Sequence, residues 1–190
     1  MQAIDAQDMT YAEYLAFEEA SEEKHEYVNG RAYAMAGGSI EHARLASAIS
    51  AALAVALGRA PCVPFSSDLR VRNDATGRST YPDVTVVCGK IERAADDDQA
   101  VTNPSVIVEV LSDSTEKSDR GEKWSHYQRI ASLREYVLVS QSPPKIEVFS
   151  RDPERRDVWQ YQEYGPGTEA RLPSLGVTLA VDEIYANKLE

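Results

Sequence analysis

The stretch SVIVEVLSDST, residues 105–115, decides the fold and raises the question of function. It begins as an almost continuous run of β-branched apolar residues, which predicts a strand that is covered on both faces. Glu109 interrupts this run. An unpaired carboxylate in a dry interior is costly or takes up a proton, so Glu109 needs a cation, a lysine or several hydrogen-bond donors nearby.

The length and composition of the chain predict one globular domain. Its 190 residues include 43% hydrophobic side chains, enough for a single core, so residues 1–190 are expected to form one domain. Cys62 and Cys88 lie in or beside predicted strands, without CxxC spacing or a histidine cluster. We therefore expect neither a zinc site nor a disulfide, and a reducing cytoplasm as the compartment.

The N-terminal stretch MQAIDAQDMTYAEY has no basic segment followed by an apolar core, which a secretory signal would require. No apolar stretch approaches the roughly 20 residues that are needed to cross a bilayer. We therefore expect neither secretion nor a membrane partner.

The net charge of −11 argues at first against a nucleic-acid partner, because duplex binding depends on lysines and arginines that neutralise phosphates. Eight acids and one lysine in residues 1–30 account for −7 of this charge, which leaves −4 for the other 160 residues. Arginines concentrate in two turns, DLRVRNDATGR (68–78) and SRDPERR (150–156), which are either ordinary solvated loops or phosphate contacts. If the protein binds DNA, we expect the arginines of the first turn, Arg70, Arg72 and Arg78, at the rim of the cleft.

Capping signals and apolar periodicity predict the first two helices. Thr10 and Glu13 form a capping box for a helix over about 10–20. A longer helix should open at Ser39, run to Gly58 and carry a buried stripe with a spacing of four residues. The stripe consists of Leu45, Ile49, Leu53 and Leu57.

Asp119 and Glu122 predict a D-x-x-E cap for a third helix, in which Trp124, Tyr127 and Ile130 pack inward. Asn29-Gly30 predicts a hairpin turn. Further strands are expected at about 62–72, 80–88, 104–111, 135–140, 145–150 and 157–164, with an acidic surface loop at 96–98. This order indicates an α+β fold in which helices flank a mixed sheet.

A second carboxylate stands out in the stretch STYPDVTVVC, residues 79–88. Pro82 marks a strand start or an edge, and Asp83 follows it at the mouth of an apolar strand. Pro-Asp alone is usually an ordinary turn. Two acids on adjacent strands, however, can converge on a hard cation such as Mg²⁺ or Mn²⁺, and the backbone carbonyl of Val110 could add a third oxygen.

Phosphoryl chemistry at such a site also needs a cationic side chain that steadies the attacking water or the developing charge. Lys123, in the helix after the Glu109 strand, is the nearest candidate, although it could equally be an exposed helix lysine. Lys117 is a weaker rival because it lies in the predicted loop before that helix.

Several blocks of the chain resemble the Uma-two family of restriction endonucleases, which is placed in the PD-(D/E)XK nuclease superfamily. The blocks are HEYVNGRAYAMAGGSIEH (25–42), SSDLRV (66–71), YPDVTVV (81–87), PSVIVEVLSDST (104–115), DRGEKWSHYQ (119–128) and REYVLV (134–139). The resemblance implies a restriction-endonuclease-like core, which is a mixed sheet flanked by helices, and a metal site built from an Asp, a Glu and a Lys.

In this resemblance Asp83 is the Asp of the "PD" element and Glu109 is the second acid. The superfamily lysine normally stands two positions after the second acid, where this chain has Leu111, so the resemblance assigns its role to Lys123. Glu26 corresponds to an outer metal ligand.

The same resemblance maps the histidine that opens the family's helix onto His42, which could otherwise merely cap or pack at a helix start. Asp68, in SSDLRV, could face the site or simply end a strand.

Two functions remain open at this point. The favoured one is a Mg²⁺- or Mn²⁺-dependent endonuclease that cleaves duplex DNA, with a homodimer expected by analogy. The alternative is an inactive binding or scaffold protein that keeps the fold and buries a Glu109–Lys123 ion pair. A small-molecule metal hydrolase would use similar carboxylates but should show histidines at metal-ligand spacing, and the sequence shows none.

Overall fold

The computed structural model describes residues 8–35 and 37–186. Its helices are α1 (Tyr11–Ala20), α2 (Ile40–Leu57), α3 (Glu116–Ser118), α4 (Trp124–Tyr127) and α5 (Val181–Tyr185), and a π-helical turn (Asp119–Lys123) joins α3 to α4. The strands are β1 (His25–Val28), β2 (Arg31–Ala34), β3 (Cys62–Ser66), β4 (Arg70–Asn73), β5 (Arg78–Thr80), β6 (Val84–Cys88), β7 (Arg93–Ala94), β8 (Asp97–Val101), β9 (Val106–Val110), β10 (Glu135–Ser140), β11 (Lys145–Arg151), β12 (Trp159–Tyr164), β13 (Glu169–Leu172) and β14 (Val177–Ala180).

The central sheet has the strand order β12-β11-β10-β9-β6-β3. Its strands β9 and β10 are parallel and its other neighbours antiparallel, so the sheet is mixed as predicted. A second six-stranded sheet has the order β2-β1-β5-β4-β8-β7, and β13 pairs with β14. The α+β class predicted from the element order is confirmed.

Strand β9 is covered on both faces, as its apolar run predicts. Val106, Val108 and Val110 belong to the core beneath α2 and the β13–β14 pair, whereas Ile107 belongs to the core beneath the helical segment from α3 to α4. Side chains alternate along a strand, so Glu109 shares the face of Ile107 and points towards that helical segment. The fold therefore places this carboxylate opposite Lys123.

The local signals of the N-terminal half are confirmed. Thr10 and Glu13 form the complete capping box of α1. Asn29 and Gly30 both adopt positive φ, 50° and 82°, as the two central residues of a tight hairpin turn require. Helix α2 starts after Ser39 and ends at Gly58, and the predicted stripe of Leu45, Ile49, Leu53 and Leu57 is buried.

Helix α2 is, among the residues described, the one helix long and apolar enough to cross a membrane by length and composition, with a mean hydropathy of 1.4. The expectation that no apolar stretch comes near this length was therefore too strict. One such helix is weak evidence for a membrane span. The buried stripe of α2 packs on the central sheet.

Two predicted strands are each divided between the two large sheets. The predicted strand at 62–72 is β3 of the central sheet followed by β4 of the second sheet, and that at 80–88 contains the end of β5 and the whole of β6. Turn residues 67–69 and the break at 81–83 let the chain change sheets. Strand propensity detects an extended backbone but does not tell which sheet pairs with it.

The surface loop predicted at 96–98 is only partly observed: Asp96 lies in an exposed turn and Asp98 is exposed, but Asp97 and Asp98 belong to β8. Asp97 begins β8 and is buried, where it accepts a hydrogen bond from the Tyr11 hydroxyl at 2.7 Å and lies 3.2 Å from Arg70. A carboxylate with such partners is compatible with burial.

The expectation of no disulfide was also wrong. Cys62 and Cys88 stand opposite each other in the antiparallel β3–β6 pair, with Cα atoms 3.9 Å apart, and their sulfurs are bonded. The 26-residue separation gives no hint of this pairing, because it follows from strand register and not from local spacing.

Candidate active site

Asp83 and Glu109 lie on neighbouring strands. Asp83 directly precedes β6, and β6 pairs with β9 so that Val84 faces Val108. The backbone N–H of Val110 donates a 2.7 Å hydrogen bond to Asp83 Oδ2, which fixes this carboxylate beside the residue that follows Glu109. Both acids line a pocket of about 310 Å³. The two predicted acids therefore open into one cavity.

Lys123 points towards the acids and not towards solvent. Its Nζ lies 3.0 Å from Glu109 Oε1, 3.1 Å from Asp119 and 3.4 Å from Glu26, and only 8% of its side chain is exposed. The position predicted for Lys123 is thus observed, while its catalytic role stays a prediction. Lys117, the weaker rival, is exposed on α3.

Asp119 is a buried member of the cluster that sequence reasoning misassigned. The predicted D-x-x-E cap is wrong, because the helical segment starts earlier, at Glu116, and Asp119 lies within the π-helical turn. Its side chain is 1% exposed and faces Lys123 four residues later. An acid and a lysine at i and i+4 in DRGEK were the available signal.

Tyr127 and Thr80 were not singled out from the sequence. The Tyr127 hydroxyl lies 2.9 Å from both Glu109 Oε1 and Thr80 Oγ1. Lys123 also donates to Oε1, so one oxygen of Glu109 is held by protein donors. This arrangement leaves Glu109 Oε2 as the oxygen with freedom to bind another partner. Tyr127 was predicted only as a packing position, but its hydroxyl also contacts Glu109.

Glu26 is buried between two cations. Its Oε1 faces Lys123, and its Oε2 lies 3.3 Å from Arg78, which also reaches Glu122 at 3.2 Å. Both carboxylate oxygens thus already have cationic partners. The outer-ligand role of Glu26 stays a prediction.

The arginines of the first turn do not form a free rim. Arg78 is buried, with 1% of its side chain exposed. Arg70 lies 3.2 Å from Asp97, and Arg72 lies 3.7 Å from Asp96 and stacks over the Tyr11 ring at 3.6 Å. None of the three lines the pocket and each is paired with an acid of the protein, so the expectation that they lie at the rim of the cleft is not confirmed.

His42 reaches the same pocket from the first turn of α2. Its Nε2 lies 3.2 Å from Asp83 Oδ2, and its side chain also hydrogen-bonds the backbone of Val110. The bond to Asp83 raises the pKa of His42. A Cβ on Gly38 would lie 2.7 Å from His42 Nδ1, so glycine leaves the room that the ring occupies.

Asp68 lies outside the pocket. It forms an ion pair with Lys24, and 79% of its side chain is exposed. Of the predicted site residues, the structure brings together Glu26, His42, Asp83, Glu109, Val110 and Lys123. It does not bring Asp68 to them.

The charges of the cluster are unbalanced towards the acids. Burial raises the pKa of Glu109 to about 8; the Lys123 ammonium opposes this rise, and the charges of Asp119, Asp83 and Glu26 add to it. Burial alone would lower the pKa of Lys123, but Glu109 and Glu26 raise it well above its usual value. An added cation would favour the ionised form of Glu109.

The oxygen atoms at the pocket suit a hard divalent ion. Asp83, Glu109 and the Val110 carbonyl offer oxygen ligands, which Mg²⁺ and Mn²⁺ prefer. Within residues 8–35 and 37–186, no three His, Cys, Asp or Glu side chains form a ready metal-binding group. A metal would therefore need waters or substrate phosphate to complete its shell, which is the usual way that proteins hold Mg²⁺.

The comparison with known families identifies the family of this chain. The sequence profile of the Uma2 family, described as "Putative restriction endonuclease", matches residues 11–182. The chain belongs to this family. The resemblance found in the sequence blocks is thereby confirmed.

Two relatives of this Uma2 member are uncharacterized proteins of Synechocystis sp. One, slr1290, is 37% identical over 173 residues, covering 91% of this chain and 89% of the relative. The other, sll1609, is 35% identical over 148 residues, covering 78% and 84%.

A crystal structure titled as a putative nuclease belonging to DUF820 from Anabaena variabilis matches with a TM-score of 0.73 at 15% identity. The match covers 92% of this chain and 97% of that one. At this identity the likeness concerns the fold alone. It confirms the restriction-endonuclease-like core, a mixed sheet flanked by helices.

Proposed function

We propose that this Uma2 protein is a metal-dependent endonuclease that hydrolyses phosphodiester bonds of duplex DNA. The observation that carries the proposal is the meeting of Asp83, Glu109 and Lys123 at one pocket, from two adjacent strands and the helical segment after them. The family description and the nuclease-like fold support the same class of reaction.

The proposed metal site uses Asp83, Glu109 and the Val110 carbonyl, with Mg²⁺ or Mn²⁺ as the ion. Such an ion, when bound, polarises a phosphoryl oxygen and lowers the pKa of a bound water. Glu109 Oε2 faces no donor among the described residues, whereas Oε1 is held by Lys123 and Tyr127. Fixing one oxygen orients the other for a ligand.

Lys123 supplies the positive charge of the proposed mechanism. Its ammonium lies 3.0 Å from Glu109, at the end of the π-helical turn, and Lys123 lines the same pocket as the two acids. There it can orient the attacking water or stabilise charge that develops on the phosphate oxygens. His42 Nε2 lies 3.2 Å from Asp83 Oδ2 and helps to orient this carboxylate.

The proposal extends to a homodimer. Each chain has one such pocket among its described residues, which would cleave one strand at a time. A homodimer would present two pockets, one for each strand of the duplex. Size-exclusion chromatography with light scattering measures the oligomeric state directly. A strictly monomeric protein that still cuts both strands in one binding event would contradict the dimer.

The alternative function is an inactive scaffold. The buried Glu109–Lys123 pair at 3.0 Å is the observation that favours it, because a stable ion pair needs no metal to satisfy the carboxylate. In this case wild-type protein would not cleave DNA with any divalent ion.

A plasmid-nicking assay tests the proposal. Wild type should nick supercoiled plasmid with Mg²⁺ or Mn²⁺ and not in EDTA. Glu109→Gln and Asp83→Asn should each lower the rate by at least about a hundredfold, the effect expected for loss of a group that stabilises transition-state charge.

The matched control is Asp74→Asn, which makes the same change at an exposed position in the β4–β5 turn. It should nick at the wild-type rate. Wild-type protein that is inert with both ions, or Glu109→Gln protein that nicks as fast as wild type, would refute the endonuclease proposal.

A further inference from the structure

About half of the described lysines and arginines are already paired with acids of the protein. The described lysines and arginines that have a carboxylate within 4.0 Å are Lys24, Arg31, Arg44, Arg70, Arg72, Arg78, Arg120, Lys123, Lys145 and Arg155. The described ones without such a partner are Arg59, Lys90, Arg93, Lys117, Arg129, Arg134, Arg151, Arg156 and Arg171. Four of the second group lie together.

These four, Arg129, Arg134, Arg151 and Arg156, form what we call the arginine patch. Arg151 is its centre. The Arg151 guanidinium donates to the carbonyls of Leu133, Gln128, Ile130 and Arg156 at 2.6–3.0 Å. One anchored side chain thus ties together the backbone segments that carry the other three arginines.

The outer arginines keep their charge available. Arg129 and Arg156 are exposed and line one surface pocket with Arg151 and Trp159, while Arg134 is half-buried and lines a separate pocket that also contains Glu92. Burial lowers the pKa of the Arg151 guanidinium, and the charges of Arg134 and Arg156 lower it further. The guanidinium groups repel one another at this separation, and a bound anion would relieve that repulsion.

Nearby acids offset the charge of the patch only in part. Asp152 accepts hydrogen bonds from the backbone N–H groups of Glu154 and Arg155 and forms an ion pair with the Arg155 side chain. Its carboxylate is therefore already engaged within residues 152–155. Asp157 lines the pocket but has no described ion pair within 4.0 Å. In a chain of net charge −11, this local excess of arginine is unusual.

Strand register places the patch at the end of the central sheet away from the Asp83–Glu109 pocket. Arg134 precedes β10, whose first residue pairs with Val106 at the start of β9 and with Ser150 near the end of β11. Glu109 lies near the other end of β9. Aromatic support comes from Trp159, whose ring lies 4.3 Å from the Arg151 guanidinium.

We infer that the arginine patch binds the phosphate backbone of duplex DNA, at a place separate from the cleaving pocket. Guanidinium groups match phosphate oxygens with paired donors, and the patch presents three of them on anchored backbone. The choice of DNA as the occupant rests on the proposed function. Carboxylates line the pocket and would repel a polyanion. The arginine patch would supply the positive charge that binds DNA to this acidic protein.

The test measures binding of a fluorescent 24-base-pair duplex in EDTA, where no cleavage is required. The triple variant Arg129→Gln/Arg134→Gln/Arg156→Gln should bind at least about tenfold more weakly than wild type. Its log-log salt slope should fall by about 0.9 for each phosphate that the variant no longer neutralises. The matched control, Arg59→Gln/Arg93→Gln/Arg171→Gln, removes the same charge from exposed unpaired arginines elsewhere and should bind within twofold of wild type.

Equal weakening in both triple variants would overturn the inference, because the effect would then come from net charge. Undiminished binding by the patch variant would overturn it as well, and so would a patch that binds polyglutamate but not DNA. Thermal melting confirms that the variants fold, and the exposed pair Arg129→Gln/Arg156→Gln replaces the triple variant if Arg134 proves structural. The binding assay needs no metal, so its result is independent of cleavage. If the patch variant binds DNA more weakly but wild type does not nick plasmid, the endonuclease proposal fails and the inference about the patch stands.

Discussion

The two ends of the central sheet handle charge in opposite ways. At the Asp83–Glu109 end, three acids surround Lys123 in the interior, and burial raises the pKa of Glu109 to about 8. At the Arg134–Arg151 end, arginines stand at the surface without carboxylate partners. The buried end has an excess of carboxylates, which favours binding of a cation. The exposed end has an excess of arginines, which favours binding of an anion. Net charge alone, −11, predicts neither.

The largest expected effect on stability comes from removing the one lysine of the buried end. Lys123→Ala leaves Glu26, Glu109 and Asp119 buried without their shared cation, so the free energy of unfolding should fall by about 3–5 kcal/mol. Glu109→Gln leaves Lys123 with two remaining acids and should cost much less. Urea unfolding of the two variants at pH 7 in EDTA measures both.

Equal losses in the two variants would show that Glu109 and Lys123 form an isolated pair. The excess of acids around Lys123 would then have no energetic consequence. Asp74→Asn, in an exposed turn, provides the baseline for a change of one charge.

The disulfide gives the arginine end a covalent restraint that the pocket end lacks. Cys62–Cys88 closes a loop of 26 residues' separation, for which chain entropy predicts a stabilisation of roughly 3–4 kcal/mol. Adding dithiothreitol should lower the urea midpoint of wild type and leave Cys62→Ser/Cys88→Ser unchanged. A wild-type midpoint that does not respond, with free thiols absent before reduction, would contradict this.

The pH dependence of stability should report the buried acid. The pKa of Glu109 is raised in the folded protein, so protonated Glu109 stabilises the fold. This contribution to the free energy of unfolding is fully present below the ordinary glutamate pKa and is lost as pH rises through about 8. Between pH 5 and 9 without divalent ions, wild type should lose stability relative to Glu109→Gln. Parallel stability curves for the two proteins would show that Glu109 does not titrate in this window.

The smallest effect is expected at Asp68. Its pair with Lys24 is largely exposed, and such pairs contribute at most about 1 kcal/mol. Asp68→Asn should therefore unfold within that range of wild type and nick plasmid at the same rate. A strong loss of nicking would mean that this residue reaches the site in the complex with DNA.

Local signals predicted much of this structure correctly. Caps and the Asn29-Gly30 turn located α1, α2 and the first hairpin, because these depend on neighbouring residues. Glu109 in an apolar run and Asp83 after Pro82 located the pocket. Lys123 was the nearest candidate cation because it lies in the helix after the Glu109 strand, and the family resemblance then assigned it the role of the superfamily lysine.

Features that depend on which segments meet were missed. The Cys62–Cys88 bond and the divided strands follow from sheet register, which has no local signature. Asp119 was misassigned because an acid before a helical run resembles a cap, whereas the π-helical turn carries it inside. The pairing of Arg70, Arg72 and Arg78 with acids far along the chain was equally invisible.

Isothermal titration with Mn²⁺ tests the central claim most directly, namely that Asp83 and Glu109 together hold a divalent cation. Wild type and Asp74→Asn should bind Mn²⁺ at one site per chain, and Asp83→Asn/Glu109→Gln should show no binding at that site. Mn²⁺ binding that survives in the double variant with unchanged affinity, or a wild type that binds none, would contradict the account.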